Sequence, residues 1–212
     1  GVIVIGGGGH AKVVIDALLR GEHKVVGVLE KDSAHVGKQI CGIPVIGTDD
    51  DLPLLFAQGV RYAVIGIGHL GHGVFRNQIA LHLHNHGFQL ATVIHPSAII
   101  SSDVQIGAGT VVCAGAVINP GVNIGENCII NTCAVVEHDV KVGNNVHIAP
   151  NAAISGGTII GDNVFIGMGS NIIQGLHLYD ECIVGAGSVV IQDVEAGETV
   201  IGIPAKRIKE KI

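Results

Sequence analysis

The chain has 212 residues, of which 48% are hydrophobic and 14% are charged, and its formal net charge is −6. This length allows a sizeable core and two domains, and the negative charge argues against nucleic acid or an anionic membrane as the main partner. No apolar run reaches the roughly 18 residues of a membrane span, and no charged-then-apolar leader is present. We therefore expect no membrane insertion and a cytoplasmic location.

A strand, a glycine turn and a helix open the sequence. Residues 2–5 form an apolar run typical of a buried strand, and the apolar period after residue 10 predicts a helix. The turn between them, Gly6-Gly7-Gly8-Gly9-His10, lets backbone N–H groups approach an anion at the helix N-terminus. The sequence predicts an anion site here, although a glycine turn that only packs the helix against a sheet has the same pattern.

The same turn fits the fingerprint of dinucleotide-binding proteins. Gly6, Gly8 and Ala11 have the required spacing, and Glu30 ends a predicted strand over 24–29, where a ribose-binding acid would lie. A complete dinucleotide fold needs more than the roughly 90 residues that precede the repeat described below. We expect half of a doubly wound unit that holds one nucleotide, with a non-catalytic NAD-binding or nucleotide-binding scaffold as an alternative.

Strands and helices continue to alternate up to residue 92. The pattern predicts a short strand at 43–47, a helix over 49–58, a strand over 61–67 and a helix over 74–86. This alternation predicts an α/β domain, a half-Rossmann-like nucleotide-binding domain that spans residues 1–92. Gly68, at the C-terminal end of its strand, is expected to face the same crevice as Gly8 and Gly9.

A strict period of six begins at Ile94. Every sixth residue from Ile94 to Val190 is aliphatic, and a small or modestly apolar residue follows four positions later. This period fits neither an amphipathic helix nor an alternating strand, but it fits a parallel β-helix of short strands and tight turns. Residues 93–212 are therefore predicted to form a second, all-β domain.

The cysteines and histidines do not predict a disulfide or a metal site. The five cysteines are odd in number, and Cys128 and Cys182 occupy the small inward position of the repeat, which predicts reduced packing residues. The histidines at positions 82, 84 and 86 share a predicted helix, but helical geometry directs the middle one away from the others. We expect no bound metal.

One turn of the repeat carries ionisable groups. His138 follows Glu137 and precedes Asp139. Imidazole is well suited to accept a proton at neutral pH, and an adjacent carboxylate can fix its tautomer and raise its basicity. A surface ion pair would have the same sequence.

The chain resembles a known family over nearly its whole length. Residues 131–143, with Glu137-His138-Asp139, and residues 146–150, Val146-His147-Ile148-Ala149-Pro150, resemble the bacterial sugar O- and N-acetyltransferases related to sialic acid O-acetyltransferase. The opening Gly8-Gly9-His10 and the closing Gly202-Ile203-Pro204-Ala205-Lys206 match as well. Within this group the chain looks most like the enzymes that acetylate nucleotide-linked 4-amino-4,6-dideoxy sugars.

The resemblance implies a left-handed parallel β-helix with three hexapeptides per coil, so that each residue stacks on the residue 18 positions later. His138 then lies between Pro120 and Gly156, which are compact and leave room for a substrate beside the ring. The resemblance further implies that His138 is the general base and that Asp139 increases its basicity. The positions implied to hold the nucleotide sugar are Gly8, Gly9, His10, Glu30, Lys31 and Gly68.

The donor is implied to bind along the β-helix. In the resembled family the histidine at the position of His147 contacts the acetyl thioester, and the positions of Met168 and Ala186 line the coenzyme A channel. The basic C-terminal tail is a candidate site for the CoA phosphates, and a solvated tail is the alternative. The basic residues of this tail are Lys206, Arg207, Lys209 and Lys211.

The resemblance implies acetyl transfer from the co-substrate acetyl-CoA to the 4-amino group of a nucleotide-activated amino-dideoxy sugar, in bacterial surface glycan and lipopolysaccharide (O-antigen) biosynthesis. We expect direct attack in a ternary complex, with His147 or a backbone N–H as the donor to the oxyanion. A covalent route through Cys133 is conceivable but less favoured. The rival activities are O-acetylation of a sugar hydroxyl, as in the sialic acid relatives, and the non-catalytic scaffold.

A homotrimer with sites between subunits is also expected. His138 and His147 are nine residues apart, half of an 18-residue coil, so one chain should hold them on opposite sides. The outward positions next to the aliphatic slots are unusually apolar, and threefold packing would bury them, in agreement with the trimers typical of the resembled family. These outward residues are Val111, Val117, Ile129, Val135, Ile159, Phe165 and Ile183.

Overall fold

The structure, a computed structural model, describes residues 1–69 and 74–208. The N-terminal domain consists of β1 (Val2–Ile5), α1 (Gly9–Arg20), β2 (Val25–Leu29), β3 (Gln39–Ile40), β4 (Ile43–Gly47), α2 (Leu52–Ala57), β5 (Tyr62–Ile65), α3 (Val74–Asn85) and β6 (Gln89–Leu90). A short 3₁₀ turn over Asp49–Asp51 leads into α2. No helix of the described residues is both long enough and apolar enough to cross a membrane.

The strands form one sheet in the order β3-β4-β2-β1-β5-β6, parallel except for the β3–β4 pair. Both faces of β1 are buried, as a parallel sheet between helices requires. Val4 packs in the cluster that contains α1, and Ile3 and Ile5 pack in the cluster that contains Leu52 of α2 and Leu83 of α3. The period of two along β1 thus places α1 on one face and α2 and α3 on the other.

The fifth strand is shorter than the sequence predicts, ending at Ile65 instead of residue 67. The reason is a side chain: the guanidinium of Arg76 donates to the backbone carbonyls of Ile65 and Ile67. These carbonyl groups therefore bond to α3 and do not extend the ladder of the sheet.

The repeat forms seventeen two-residue strands, and the second residue of each is the predicted aliphatic position. They are β7 (Val93–Ile94), β8 (Ile99–Ile100), β9 (Gln105–Ile106), β10 (Val111–Val112), β11 (Val117–Ile118), β12 (Asn123–Ile124), β13 (Ile129–Ile130), β14 (Val135–Val136), β15 (Lys141–Val142), β16 (His147–Ile148), β17 (Ala153–Ile154), β18 (Ile159–Ile160), β19 (Phe165–Ile166), β20 (Asn171–Ile172), β21 (His177–Leu178), β22 (Ile183–Val184) and β23 (Val189–Val190). Two further strands, β24 (Thr199–Ile201) and β25 (Lys206–Ile208), close the domain.

Every third strand pairs in parallel at an offset of 18 residues, as Val117 does with Val135. This pairing produces three sheets, which are the three faces of a prism. Face 1 contains β7, β10, β13, β16, β19 and β22, and continues into β24 and β25; face 2 contains β8, β11, β14, β17, β20 and β23; face 3 contains β9, β12, β15, β18 and β21. The second residues of the strands and the small residues of the turns fill the prism in one continuous core.

From Gly109 to Gly187, each corner of the prism has one residue with a left-handed backbone, three positions after the aliphatic residue. Glycine, asparagine and aspartate tolerate this conformation best, and all but two of these corners use them; the exceptions are Cys133 and Glu181. For example, φ is 60° at Asp139. The polar residues at these corners are therefore explained by the backbone of the coil. Asp139 meets this backbone requirement and is also part of the ionisable cluster around His138.

The N-terminal domain lies against face 1. Val93 and Val111 of the first two strands of this face share a core cluster with Val14 and Leu18 of α1. Val111, Ile129 and Ile183 are buried within a single chain. The expectation that threefold packing buries them is therefore wrong for these three positions, because their own chain already covers them.

The C-terminal basic segment is partly ordered into the fold. Lys206 and Arg207 belong to β25, which pairs antiparallel with β24, and Arg207 forms an ion pair with Glu198 at 2.8 Å. These two residues are thus a strand at the end of face 1 and not a loose tail. Lys209 and Lys211 lie outside the described residues.

The two residues of one strand allow a direct test of this architecture. Ile160 points into the prism and is 2% exposed, whereas its neighbour Ile159 points outward and is 41% exposed. We expect Ile160→Ala to lower the free energy of unfolding by about 2–5 kcal/mol, since it leaves a cavity, and Ile159→Ala to lower it by less than about 1 kcal/mol. Chemical denaturation of both variants measures the difference, and equal losses would contradict the inward assignment.

Candidate active site

The glycine turn lies where the strand order of the sheet reverses. The chain moves from β1 to β2 on one side and places β5 on the other, so the crevice at the C-terminal ends of β1 and β5 is the topological switch point. Gly6 to His10 follow β1, and Gly66 to His69 follow β5. This topology brings Gly68 to His10, because a Cβ at Gly68 would be 3.6 Å from the His10 Cβ.

The N-terminus of α1 is open to a ligand. Gly8 is its N-cap residue and supplies no side-chain cap, and the first turn contains no acidic residue. The first backbone N–H groups of a helix have no intrahelical partner, and the helix dipole favours an anion there. Gly8 and Gly9 also leave open space, since a Cβ at either would meet no atom within 4 Å.

A cavity of about 470 Å³ lies on one side of this turn, between the ends of the strands and α3. Its wall is largely apolar, with Ile5, Ile67 and Phe75, and its polar groups include Glu30 and Lys31. The Glu30 carboxylate folds against the turn, because a Cβ at Gly7 would collide with it. The predicted residues Glu30 and Lys31 therefore meet in one cavity beside the glycine turn.

A second cavity, of about 510 Å³, lies between the two domains. The N-terminal domain supplies Gly9, His10, Gly68 and His69, and the β-helix supplies Asn131 and His147. The structure thus brings three predicted positions, His10, Gly68 and His147, to one space. Gly8 is at the edge of this region as the cap of α1 and does not line the cavity.

His147 is buried on face 1 and is held at both ring nitrogens. Nδ1 is 2.9 Å from the backbone carbonyl of His69, and Nε2 is 3.0 Å from the side-chain nitrogen of Asn131. A carbonyl only accepts, so Nδ1 carries the proton and Nε2 accepts from Asn131. In this arrangement His147 has no N–H left for an oxyanion, so of the two predicted donors only a backbone N–H remains.

Three imidazoles around this cavity are neutral. Burial, with a smaller contribution from the positive charge of Arg76, lowers the pKa of His10 and of His69 to about 3 and that of His147 to about 4. The His69 ring lies 5.1 Å from the His147 ring, centroid to centroid. Three ring nitrogens have no hydrogen-bond partner among the described residues: Nδ1 and Nε2 of His69, and Nε2 of His10.

His138 lies at the corner between faces 2 and 3, opposite face 1 and His147, as the spacing of nine residues predicts. Its Nδ1 is 2.9 Å from Oδ2 of Asp139, and both side chains are exposed. This hydrogen bond raises the pKa of His138, and the charges of Asp139 and Glu137 add to the effect. The contact leaves Nε2 of the ring available to a substrate.

Cys133 is exposed at the corner between faces 1 and 2, one corner away from His138. The five residues between them therefore span face 2 and do not bring the thiol to the imidazole within one chain. The structure gives no support to a covalent route that uses this pair.

The predicted CoA positions form a column along the same corner as Cys133. Met168 and Ala186 lie 18 residues apart, and Pro150 precedes Met168 by one coil. Met168 is 56% exposed. This column begins near Asn131 and His147 and runs towards β25, which carries Lys206 and Arg207.

Sequence reasoning missed His69 and Arg76. His69 follows Gly68 directly and lines the cavity between the domains, and Arg76 is completely buried at the start of α3. No local signal distinguished Arg76, because α3 also carries the polar residues Asn77, Gln78 and His82. Among the described residues, no group of three or more His, Cys, Asp or Glu side chains is arranged to hold a metal ion.

Three segments match known protein families. Residues 1–80 match the PglD N-terminal domain, residues 121–156 match the bacterial transferase hexapeptide of six repeats, and residues 157–192 match the hexapeptide repeat of succinyl-transferase. No curated protein matches the chain.

Several solved structures are similar over the whole length. PerB from Caulobacter crescentus, in complex with CoA and GDP-perosamine, is 40% identical with a TM-score of 0.91, covering 98% of this chain and 97% of that chain. The acetyltransferase domain of PglB from Neisseria gonorrhoeae FA1090, in complex with acetyl coenzyme A, is 35% identical with a TM-score of 0.88, covering 98% of each chain. WeeI from Acinetobacter baumannii AYE is 27% identical with a TM-score of 0.77, covering 98% of this chain and 99% of that chain. The expected fold, an α/β domain followed by a left-handed β-helix, is confirmed.

Gly156 offers a test of the His138 geometry. A Cβ at this position, one coil after His138, would be 2.6 Å from both Cε1 and Nε2 of the ring. We expect Gly156→Ala to displace the imidazole and lower kcat by about 10²-fold, with little change in melting temperature. Gln174→Ala, at the same corner one coil further on, is the control and should leave kcat unchanged; a fully active Gly156→Ala enzyme would exclude this ring position from the chemistry.

Proposed function

The chain belongs to the hexapeptide-repeat family of nucleotide-4-amino-sugar N-acetyltransferases, and we propose that it transfers acetyl from acetyl-CoA to the 4-amino group of a nucleotide-linked amino-dideoxy sugar. The observation that carries the proposal is the whole-length similarity, at 40% identity, to an enzyme bound to CoA and GDP-perosamine. The crevice of this chain, with its open helix N-terminus beside His147, has the groups that would bind such an acceptor.

The acceptor occupies the crevice of the N-terminal domain. The nucleobase and ribose fit the cavity beside Glu30 and Lys31, and the diphosphate accepts hydrogen bonds from the N–H groups at Gly8, Gly9 and His10. The sugar then extends past Gly68 into the cavity between the domains. Neutral imidazoles suit this cavity, because a buried ring nitrogen can bond a sugar hydroxyl without an added charge.

The donor lies along the corner between faces 1 and 2. One coil advances by about 4.8 Å, so the four coils from Thr132 to Gly202 span roughly 19 Å. Met168 and Ala186 lie between these ends, and the pantetheine arm can follow this column. The phosphates of CoA then lie at β25, where Lys206 is exposed and Arg207 shares its charge with Glu198.

The proposed chemistry is direct transfer with His138 as the general base. Nε2 of His138 accepts a proton from the amine as the amine nitrogen attacks the thioester carbon, a C–N bond forms, and the C–S bond breaks with release of the CoA thiolate. Asp139 accepts from Nδ1 of the same ring and stabilises the imidazolium. A backbone N–H is the proposed donor to the oxyanion, because both nitrogens of His147 are already bonded.

A homotrimer brings the two halves of the site together. One chain holds His138 and His147 on opposite sides of the prism, so the base must come from a neighbouring subunit. Face 2 suits the interface, since Val117, Val135 and Ala153 stack as a half-buried apolar row, and His138 lies at the edge of this face in the coil of Val135.

Two rival functions remain to be separated from the proposed one. They are O-acetylation of a sugar hydroxyl and a non-catalytic NAD-binding scaffold.

The reaction is further proposed to serve bacterial surface glycan or lipopolysaccharide synthesis in the cytoplasm. The five free cysteines, of which Cys41 and Cys133 are exposed, agree with a reducing compartment.

An assay of free thiol release from acetyl-CoA against GDP-, UDP- and dTDP-linked 4-amino sugars tests the activity. We expect His138→Ala to lower the rate by ~10²–10⁴-fold with the fold intact. Asp139→Asn should be milder and should move the acid limb of the pH–rate profile to lower pH. The sign follows from the hydrogen bond to Asp139, which raises the pKa of His138, while only the neutral imidazole can accept the proton.

The outcomes separate the rivals. Thiol release with the corresponding hydroxyl sugars but not with the amino sugars would establish O-acetylation. Tight NAD binding without any thiol release would establish the scaffold. An unshifted pH profile for Asp139→Asn would remove the Asp139 contact from the mechanism.

Subunit exchange tests the shared site. His138→Ala and His147→Ala proteins are each expected to be inactive, and a mixture should regain activity because some interfaces then contain both intact histidines. Mass spectrometry confirms that mixed oligomers form. Exchange without any recovery of thiol release would show that the two histidines do not act across an interface.

A further inference from the structure

Arg76 joins the two domains at the C-terminal end of β5. It is completely buried and donates to the carbonyls of Ile65 and Ile67 at the end of β5, and at 2.8 Å to Oδ1 of Asn127 in the β-helix. The next residue, Asn77, donates to Oδ1 of Asn163 at 3.1 Å. The start of α3 is therefore fastened to one corner of the prism.

The charge of Arg76 has no counter-charge. Within residues 1–69 and 74–208, no carboxylate forms an ion pair with it, and its Nε has no hydrogen-bond partner. Burial lowers its pKa to about 10, which still leaves the guanidinium charged at neutral pH. Buried charges in proteins are normally paired, and three neutral acceptors do not replace an anion.

The position of the charge indicates what can pair with it. Arg76 binds the carbonyls that end β5, and β5 is adjacent to β1, whose C-terminal end leads into the glycine turn. After burial, its positive charge contributes to the lowered pKa of His10 at the start of α1 and of His147 in the cavity between the domains. A buried charge is screened little by salt, so it can act on a ligand bound beside these histidines.

We propose that Arg76 is the built-in counter-charge for the diphosphate of the sugar nucleotide, acting through the protein interior without touching the ligand. This inference rests on the proposed function. The helix N-terminus supplies the hydrogen bonds, and Arg76 supplies a buried positive charge in addition to the charge of Lys31 in the cavity beside the turn. Arg76 is thus a binding determinant for the anionic part of the acceptor and not only a link between domains.

A role of Arg76 as a link between the domains and a role as a counter-charge predict different effects on ligand binding. If Arg76 only fastens the domains, its loss loosens the crevice and weakens binding of a nucleoside and of its diphosphate alike. If it is the counter-charge, its loss weakens only the diphosphate. The ratio of the two dissociation constants therefore separates the two roles.

The test measures binding of GDP and guanosine, and of UDP and uridine, by calorimetry. Arg76→Met removes the charge. Asn127→Asp leaves Arg76 in place and gives it an internal counter-charge, because the oxygen that becomes a carboxylate already accepts from the guanidinium. We expect each variant to reduce the preference for the diphosphate over the nucleoside by about tenfold.

Asn163→Asp is the matched control. It makes the same change in the same left-handed corner position, with φ of 59° against 55° at Asn127. Both side chains bond to Asn77, but Asn163 lies two coils away and has no hydrogen bond to Arg76. It should keep the wild-type ratio. If Arg76→Met does not fold, the comparison of Asn127→Asp with Asn163→Asp decides alone.

Two outcomes would overturn the inference. Equal weakening of nucleoside and diphosphate by Asn127→Asp, or an unchanged ratio, would leave Arg76 with a structural role only. Failure of the wild-type protein to bind any of the four probes would instead overturn the proposed function on which the inference rests.

Discussion

Parallel stacking of coils at an interval of 18 residues is the constraint on which the rest of the structure depends. Each two-residue strand bonds to the strands one coil before and one coil after it, so no residue can change its face without breaking the stack on both sides. One aliphatic side chain per strand fills the narrow interior. The position of every outward side chain is consequently set by its place in the repeat, and this places His138 and His147 on opposite sides.

The N-terminal domain gives the two histidines of the β-helix, His147 and His138, different pKa values. On face 1 it covers His147, whose carbonyl partner at His69 comes from the end of β5, and burial lowers the pKa of that imidazole. At the opposite corner His138 is uncovered, and the contact with Asp139 raises its pKa. Two histidines nine positions apart in one repeat thus acquire opposite electrostatic properties from their surroundings.

The elements that follow a local period could be predicted from the sequence, and the contacts between distant segments could not. The period of six located every strand from β7 to β23, and apolar patterning located α1 and α3, because both signals are repeated along the chain. The pairing of Arg76 with Asn127 joins residues 51 positions apart. No local pattern encodes such a contact, so neither the cover over face 1 nor the early end of β5 was predictable.

The distribution of charge separates binding from proton transfer in the proposed reaction. If His10, His69 and His147 were protonated beside Arg76, four positive charges would share one buried region, which burial and mutual repulsion both oppose. Their neutrality keeps Nε2 of His10 and the ring nitrogens of His69 available for hydrogen bonds to uncharged groups of the substrates. The proton taken from the amine needs a place where a positive imidazole is stable, and that place is His138, in contact with Asp139. The proposed site therefore needs two surfaces with different solvent access: the buried surface around His147, which binds the ligands, and the exposed corner of His138, where the imidazolium forms. A single prism holds these two surfaces on opposite sides.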